Sequence, residues 1–208
     1  QTAHFTAPEI TAGLAADLAD PDFDGLLNLA EYGLGTDPRS PTPGLIAVRE
    51  DHVQTGKEAR NSLVAIGLDG GERELAGGFD FYAAPRLSPD GRQLAWLCWS
   101  HPLMPWEGSE LWLAEVAADG SLAAARSVAG GPGESLCQPL WSPRGELFVV
   151  SDRSGWWNLY RVAGEALHAV CAMEAEFGQP LWVFGQAMFG FTGDDEIVAT
   201  FIDRGQSK

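Results

Sequence analysis

The amino-acid sequence predicts a mainly β protein: an incomplete β-propeller with about three blades per chain, closed by dimerisation, behind a small N-terminal α-helical calcium-binding module. Glycine, proline and tryptophan number 25, 13 and 8 among 208 residues, which suits many short strands joined by turns. A segment repeats in the C-terminal part of the chain, which we call the rear module. The N-terminal part, the front module, contains a pattern of metal ligands. We therefore expect a calcium-binding segment and linker in residues 1–43 and a partial propeller in residues 44–208.

The front module is predicted from the stretch DPDFDGLLNLAE, which places oxygen-bearing residues where a calcium loop needs them. Calcium takes about six to eight oxygen ligands from a loop of about twelve residues, with a glycine at the sharp turn in its middle. Gly25 occupies that turn. The ligands would be Asp20, Asp22, Asp24, the backbone carbonyl of Leu26, Asn28 and Glu31. The alternative is a solvated acidic turn before a helix.

The longer stretch DPDFDGLLNLAEYGLGTDP resembles the EF-hand-like calcium repeats of bacterial extracellular proteins, of the dockerin and thrombospondin type 3 kind. Dockerins carry two such loops and this chain carries one, so the resemblance does not imply cohesin binding. The role that it implies is structural, because carboxylates that repel each other are ordered together by a bound cation.

The rear module is predicted from three similar segments that begin at Ala84, Gln138 and Gln179: APRLSPDGRQLAWL, QPLWSPRGELFVVS and QPLWVFGQAMFGFT. In each we expect a proline to open a strand. A Ser-Pro-x-Gly turn follows in the first two, where proline and glycine supply the dihedral angles of a tight turn. A spacing near 40 to 50 residues with four short strands per repeat is typical of propeller blades.

The strands between these segments complete two blades. The remaining segments predict two half-blades. NSLVAIGLDGGERELAGG would be an outer hairpin without inner strands, and residues 180–208 would be inner strands without an outer half.

Long stretches of the rear module, including DFYAAPRLSPDGRQLAWLCWSHPLMPWEGSELWLAEV and QPLWSPRGELFVVSDRSGWWNLYRV, resemble the propeller of the prolyl oligopeptidase family, in its acylaminoacyl- and dipeptidyl-peptidase-like branch. In that family the propeller gates a separate α/β-hydrolase domain, whose serine lies on a G-x-S-x-G turn. The sequence contains no such motif, so the resemblance does not carry peptidase activity to this chain on its own.

A partial ring leaves open strand edges, which seek partners. The two half-blades complement each other, so two chains could exchange them and close a six-bladed ring. We therefore predict a homodimer.

Acidic residues recur near the start of each predicted inner strand: Asp80, Glu134 and Glu176. In a dimer they would crowd one channel mouth, where a second divalent metal such as zinc could bind. The alternative is that they are ordinary loop acids of an acidic protein. His52 and His101 could be zinc ligands or general bases, although the sequence shows no spaced pair of histidines, and both could equally be structural.

The aromatic residues and cysteines have two interpretations each. Trp96 and Trp99 could line a binding surface or belong to the core. The three cysteines lie in apolar runs, which favours buried free thiols over disulfides or a metal site. Those residues are Cys98, Cys137 and Cys171.

Two functions from different classes follow. The first is a calcium-stabilised binding or scaffold module derived from a prolyl oligopeptidase-like protein. The second is a metal-dependent phosphotriesterase, lactonase or esterase, with a small-molecule ester or phosphotriester substrate in the dimer channel and Glu134, Glu176 and His101 as catalytic groups. The net charge of −16 excludes nucleic acid and anionic membranes as partners. The calcium repeat favours an extracellular or periplasmic protein, and the propeller and free cysteines favour a cytoplasmic one.

Overall fold

The computed structural model describes residues 45–52, 59–67, 71–182, 186–194 and 196–208. Within these ranges the chain is all β, with no helix, and consequently no helix that could cross a membrane. The predicted calcium loop and its flanking helices lie outside the described residues.

The first sheet has three antiparallel strands in the order β1-β2-β3: β1 (Leu45–Asp51), β2 (Arg60–Ile66) and β3 (Glu72–Ala76). The sequence predicted only the hairpin of β2 and β3. The additional strand β1 ends in charged residues, which obscured it. Arg49 on β1 donates to Glu72 Oε2 at 3.3 Å and to Glu74 Oε2 at 3.1 Å, and Arg60 on β2 also bonds Glu74. The positive charge of Arg49 near the end of β1 is therefore matched by carboxylates on β3.

Two four-stranded antiparallel meanders follow, and they confirm the two predicted complete blades. The first runs β4-β5-β6-β7 and the second β8-β9-β10-β11, each in chain order across its sheet. Their bounds are β4 (Phe81–Leu87), β5 (Gln93–Trp99), β6 (Gly108–Val116), β7 (Leu122–Pro132), β8 (Leu136–Trp141), β9 (Leu147–Ser151), β10 (Asn158–Ala163) and β11 (Ala166–Ala169).

The predicted Ser-Pro-x-Gly turns are present in both meanders. The amide of Gly91 donates to the carbonyl of Ser88 at 2.8 Å, and the amide of Gly145 donates to that of Ser142 at 2.9 Å. Both glycines have positive φ, which glycine adopts without steric cost. Local turn chemistry therefore sets where each inner hairpin reverses.

The third repeat differs from its prediction. Pro180 opens no strand, because the chain bends there and the amide of Trp182 donates to the carbonyl of Pro180 at 2.9 Å. Among the described residues after Trp182, the first strand is β12 (Phe189–Phe191), which pairs with β13 (Ile197–Ala199). A small hairpin follows, formed by β14 (Ile202–Asp203) and β15 (Gln206–Ser207).

The side chain of Gln138 fixes where β12 lies. Its Nε2 donates to the carbonyl of Phe189 at 2.6 Å, and its Oε1 accepts from the amide of Met188 at 2.6 Å. Gln138 has a φ of 49° within an irregularity of the β8–β9 pairing. A long-range side-chain contact thus anchors the last half-blade to the inner strand of the preceding blade.

The hydrophobic core lies in layers between successive sheets. Leu63, Tyr82 and Trp96 belong to the layer between the first sheet and the first meander. Leu97, Leu111 and Val149 belong to the layer between the two meanders, and Phe148, Leu159 and Phe189 to the layer against β12. This succession of open, face-to-face sheets is that of a partial propeller.

Candidate functional site

One end of the sheets gathers the site residues that the sequence predicted. β4 and β5 are antiparallel, with Phe81 opposite Trp99, and β8 and β9 place Leu136 opposite Ser151. The starts of the inner strands therefore lie beside the ends of their neighbours. We call this end the rim. Asp80, His101, Glu134 and Glu176 all lie at the rim, next to these strand ends.

Each predicted acid at the rim is engaged by its own partner. Asp80 Oδ2 accepts from the amide of His101 at 2.9 Å. Glu134 Oε1 accepts from Ser151 Oγ at 2.6 Å, and it lies 3.2 Å from Nε of Arg153. Glu176 Oε2 accepts from the amide of Trp157 at 2.9 Å. These bonds tie the loops of the rim together.

The three acids do not assemble into a metal centre within one chain. Among the residues that the structure describes, no three His, Cys, Asp or Glu side chains form a group that could hold a metal ion. His52, the other predicted ligand, faces Glu50 at 3.4 Å in an exposed pair. No observation in the described ranges thus favours the metal-dependent hydrolase.

The cysteines are free thiols, as predicted, but they do not share one environment. Cys98 and Cys137 are buried, and burial raises the pKa of both thiols, that of Cys137 to about 12. Neither is therefore poised as a nucleophile. Cys171 is exposed, which corrects the prediction that all three are buried: β11 is an outer strand with one polar face, and Cys171 follows its end.

Asp152 is an acid of the rim that the sequence analysis did not single out. Its Oδ1 accepts from the amide of Ser135 at 2.8 Å. Burial raises the pKa of the Asp152 carboxyl, and the negative charges of Glu134 and Glu176 raise it further. Asp152 therefore carries a charge that the folded state disfavours.

We expect Asp152→Asn to raise the melting temperature at pH 7, because the amide keeps the bond to Ser135 and removes the repulsion. The folded-state pKa lies above the unfolded one, so the contribution of Asp152 to stability is present in acid and is lost as the pH rises through the folded pKa. The gain of the variant should consequently shrink as the pH falls through the raised folded-state pKa, and it should be lost once the pH is below the ordinary aspartate pKa of about 3.9. Calorimetry over this range measures it.

The matched control for that variant is Asp90→Asn. A hydrogen bond from Ser88 holds the pKa of Asp90 below its ordinary value, so the folded state favours the charged form of this carboxyl. Asp90→Asn should therefore lower the melting temperature at pH 7. An Asp152→Asn protein that melts earlier at neutral pH would contradict the prediction.

An aromatic cavity of about 280 Å³ opens at the rim. The rings of Phe81 and Trp99 stack with centroids 5.4 Å apart, and those of Trp106 and Trp182 approach to 4.3 Å. Trp182 is 71% exposed, which is unusual for so large an apolar side chain. The lining also includes Met104, Pro105 and Leu181.

A second, acidic cavity of about 320 Å³ is also lined by Phe81. Glu50 and Asp80 contribute its carboxylates, and Asn61 and His101 line it as well. The imidazole of His101 meets the Phe81 ring edge-on at 4.9 Å between centroids. Phe81 thus contributes to the lining of both an apolar cavity and an acidic one.

Sequence reasoning found part of this arrangement. It singled out Asp80 and His101 and considered Trp99 as a binding residue, but it missed Phe81, Trp106 and Trp182. A detectable signal existed for Trp106, because the loop SHPLMPWE places apolar residues between two strands. No local signal identified Trp182, whose exposure depends on the bend at Pro180.

The chain is similar to several solved peptidases. A puromycin hydrolase is 39% identical over 79% of this chain, with a TM-score of 0.69. A puromycin-hydrolysing peptidase from Mycobacterium tuberculosis is 40% identical over 76% of this chain, with a TM-score of 0.71. Prolyl oligopeptidase B from Galerina marginata, 12% identical over 80% of this chain and 24% of its own with a TM-score of 0.61, shares the fold alone.

These structural neighbours are peptidases of the prolyl oligopeptidase family. The chain spans 28% of the puromycin hydrolase and 26% of the mycobacterial peptidase. No family profile and no curated protein matches the sequence.

Proposed function

We propose that this chain is a portion of the β-propeller of a prolyl oligopeptidase-type peptidase, and that it serves as a non-catalytic binding module. The observation that carries the proposal is the identity of 39–40% to two puromycin-hydrolysing enzymes over more than three quarters of the chain. Propellers bind ligands at the mouth of their central channel, where the inner strands begin. The rim is that mouth in this chain.

Two features support binding rather than catalysis by the chain itself. The nucleophile of a serine peptidase needs an adjacent base and donors for the oxyanion, and the sequence contains no G-x-S-x-G motif to supply it. The rim offers recognition instead: exposed aromatic rings beside carboxylates. The module would select ligands for a hydrolase domain elsewhere in a complete enzyme.

A chimera tests this proposal. Residues 45–208 would replace the matched segment of the mycobacterial puromycin-hydrolysing peptidase. We expect the chimera to react with a fluorophosphonate probe, which reports a folded hydrolase site, and to retain puromycin hydrolysis. The isolated chain should neither react with the probe nor hydrolyse puromycin. A probe-reactive chimera without puromycin hydrolysis, or turnover by the isolated chain, would contradict the proposal.

The calcium loop and the homodimer stay predictions. The loop, from Asp20 to Glu31, would order the front segment, and the half-blades of two chains would close one ring. Light scattering with and without a calcium chelator measures both the mass of the particle and its dependence on calcium.

A further inference from the structure

The three repeated segments differ in charge at one equivalent position. Arg86 occupies it in the first repeat, and Leu140 and Leu181 occupy it in the second and third. Arg86 and Leu140 both follow the irregularity in the pairing of their inner strands, so they are equivalent in structure as well as in sequence. Both leucines pack against the hydrophobic core. The fold thus uses an apolar side chain at this position, and the charge of Arg86 needs another explanation.

The guanidinium of Arg86 has no carboxylate partner in the part of the chain that the structure describes. Among these residues its only hydrogen bond runs from Nη1 to the carbonyl of Pro85, the preceding residue, at 2.8 Å. The side chain is half-buried, and burial lowers the pKa of the guanidinium, a shift that no charge of the described residues opposes. By contrast, Arg153 and Arg161 each lie against a glutamate. A partly buried charge without a counter-charge is unfavourable, and in a chain with 29 acidic residues the composition does not explain it.

The remaining nitrogens of Arg86 form one edge of the guanidinium. Within the described ranges Nε and Nη2 have no hydrogen-bond partner, yet neither is among the nitrogens that are buried without one, so both reach solvent. Nε of Arg49, in comparison, is buried and unpartnered. The hydrogens on Nε and Nη2 of a guanidinium point the same way and donate in parallel to the two oxygens of a carboxylate. Arg86 therefore presents the donor edge that binds a carboxylate bidentately.

Two hydrogen bonds hold Arg86 in place. The indole Nε1 of Trp141 on β8 donates to the carbonyl of Arg86 at 3.0 Å, and the bond to Pro85 orients the guanidinium. β4 is the first strand of its sheet and pairs only with β5, as an innermost strand beside the channel of a propeller does. Arg86 thus lies where two inner strands meet, and its donor edge is oriented before any ligand binds, which lowers the entropic cost of binding.

We infer that Arg86 anchors a carboxylate-binding subsite in the channel, and that its ligand is a peptide-like molecule with one free carboxylate. A monocarboxylate fits better than a phosphate, because one guanidinium balances one negative charge and the net charge of −16 repels anions of higher charge more strongly. The inference rests on the proposed function, since it places the subsite in the channel of a propeller. It goes beyond that function by assigning a chemical class to one end of the ligand.

N-acetylglycine is the probe, because it joins a peptide bond to a free carboxylate. Its neutral analogue, N-acetylglycinamide, differs only at that carboxylate. In saturation-transfer NMR titrations of the full chain at pH 7 and low ionic strength, we expect saturable binding of N-acetylglycine that is at least about fivefold tighter than that of the amide, because hydrogen bonds between two charged groups are the stronger kind. Equal binding of the two compounds, or no saturable binding of N-acetylglycine, would overturn the inference.

Arg86→Leu tests the residue itself, because leucine is the side chain that the other two repeats carry. The variant should melt at or above the temperature of the parent and should bind N-acetylglycine no better than the amide. Arg126→Leu removes the same charge from an exposed position on the outer strand β7 and is the matched control, which should bind as the parent does. An Arg86→Leu protein that keeps the parental affinity, or that melts well below the parent because the guanidinium serves the fold, would overturn the inference.

The outcome separates this subsite from the wider proposal. If the chimera hydrolyses puromycin but N-acetylglycine does not bind, or binds equally to Arg86→Leu, then the inferred subsite is wrong and the propeller assignment stands. If N-acetylglycine binds through Arg86 but the probe-reactive chimera is inactive on puromycin, then the subsite exists and the peptidase assignment is wrong.

Discussion

Replacing Gly130 by alanine is expected to lower the free energy of unfolding by about 2–5 kcal/mol, which is a large share of the stability of a domain of this size. Gly130 lies in β7 with a φ of +88°, a conformation that L-residues with a side chain rarely adopt. A Cβ at this position would overlap the carbonyl oxygen of Ser109 and would lie 2.7 Å from Cδ1 of Leu136. The Ser109 oxygen belongs to the backbone and the Leu136 methyl group to the hydrophobic core, so moving either of them away would cost free energy of folding.

Urea titration followed by tryptophan fluorescence measures this effect. Gly190→Ala is the matched control, because a Cβ on this β12 residue would have no heavy atom within 4 Å. It should change the unfolding free energy by less than about 1 kcal/mol. Gly130→Ala and Gly190→Ala proteins of equal stability would show that the approach of β6 to β7 is looser than the structure has it.

Replacing Asn158 by alanine is expected to remove about 2–4 kcal/mol of stability, because it leaves part-buried backbone groups of Met173 and the carbonyl of Ala175 without the partner that this side chain supplies. The side chain is 1% exposed. Its Nδ2 donates to the carbonyl of Met173 at 2.9 Å, and its Oδ1 accepts from the Met173 amide at 2.8 Å. Asn158 thus substitutes for a neighbouring strand and holds the segment that leads to Glu176.

Thermal melting measures the loss, and hydrogen exchange of the amides around residues 172–178 locates it. The control is Ser154→Ala in the turn just before β10, where an exposed hydroxyl donates to the carbonyl of Trp156 at 3.0 Å and the expected change is below about 0.5 kcal/mol. If Asn158→Ala melts with the parent protein, then the segment before Glu176 is held by other contacts.

Local chemistry made the two meanders predictable from the sequence. Ser88 and Ser142 each open a Ser-Pro-x-Gly turn, and apolar strands flank both turns. Turn residues and strand periodicity act over a few positions, so the sequence displays them directly. The succession of blades followed from the repetition of this unit.

The structure of the third repeat could not be predicted from local sequence patterns. The letters QPLW occur at both Gln138 and Gln179, yet only the first copy forms a strand. The position of β12 depends on the amide of Gln138, 51 residues before Phe189, and no local pattern encodes a contact of that range. A repeated motif predicts a similar local preference for a strand. Tertiary contacts then determine whether that strand forms.

The candidate site was predictable only in part, for the same reason. Asp80 and Glu134 could be placed before the inner strands β4 and β8 because the starts of these strands are visible in the sequence, whereas the strand predicted after Glu176 does not form at Pro180. Three other features depend on contacts between neighbouring loops. They are the separate hydrogen-bond partners of these acids, the repulsion that acts on the charge of Asp152, and the position of Phe81 in the lining of both cavities. The sequence therefore located the acids of the rim, and the channel metal that it placed there in a dimer stays a prediction.

The ion pairs of the first sheet bear on solubility. Four side chains form these pairs: Arg49, Arg60, Glu72 and Glu74. Each is about one third exposed or more, and ion pairs with this exposure contribute little to folding stability. The two glutamates belong to β3, an edge strand of the first sheet, and the open side of an edge strand can template the growth of fibrils. A strand from an unrelated chain that paired with β3 would have to place its own side chains beside these charges, and charged side chains on edge strands oppose such pairing. The charges thus disfavour aggregation through the β3 edge of the first sheet.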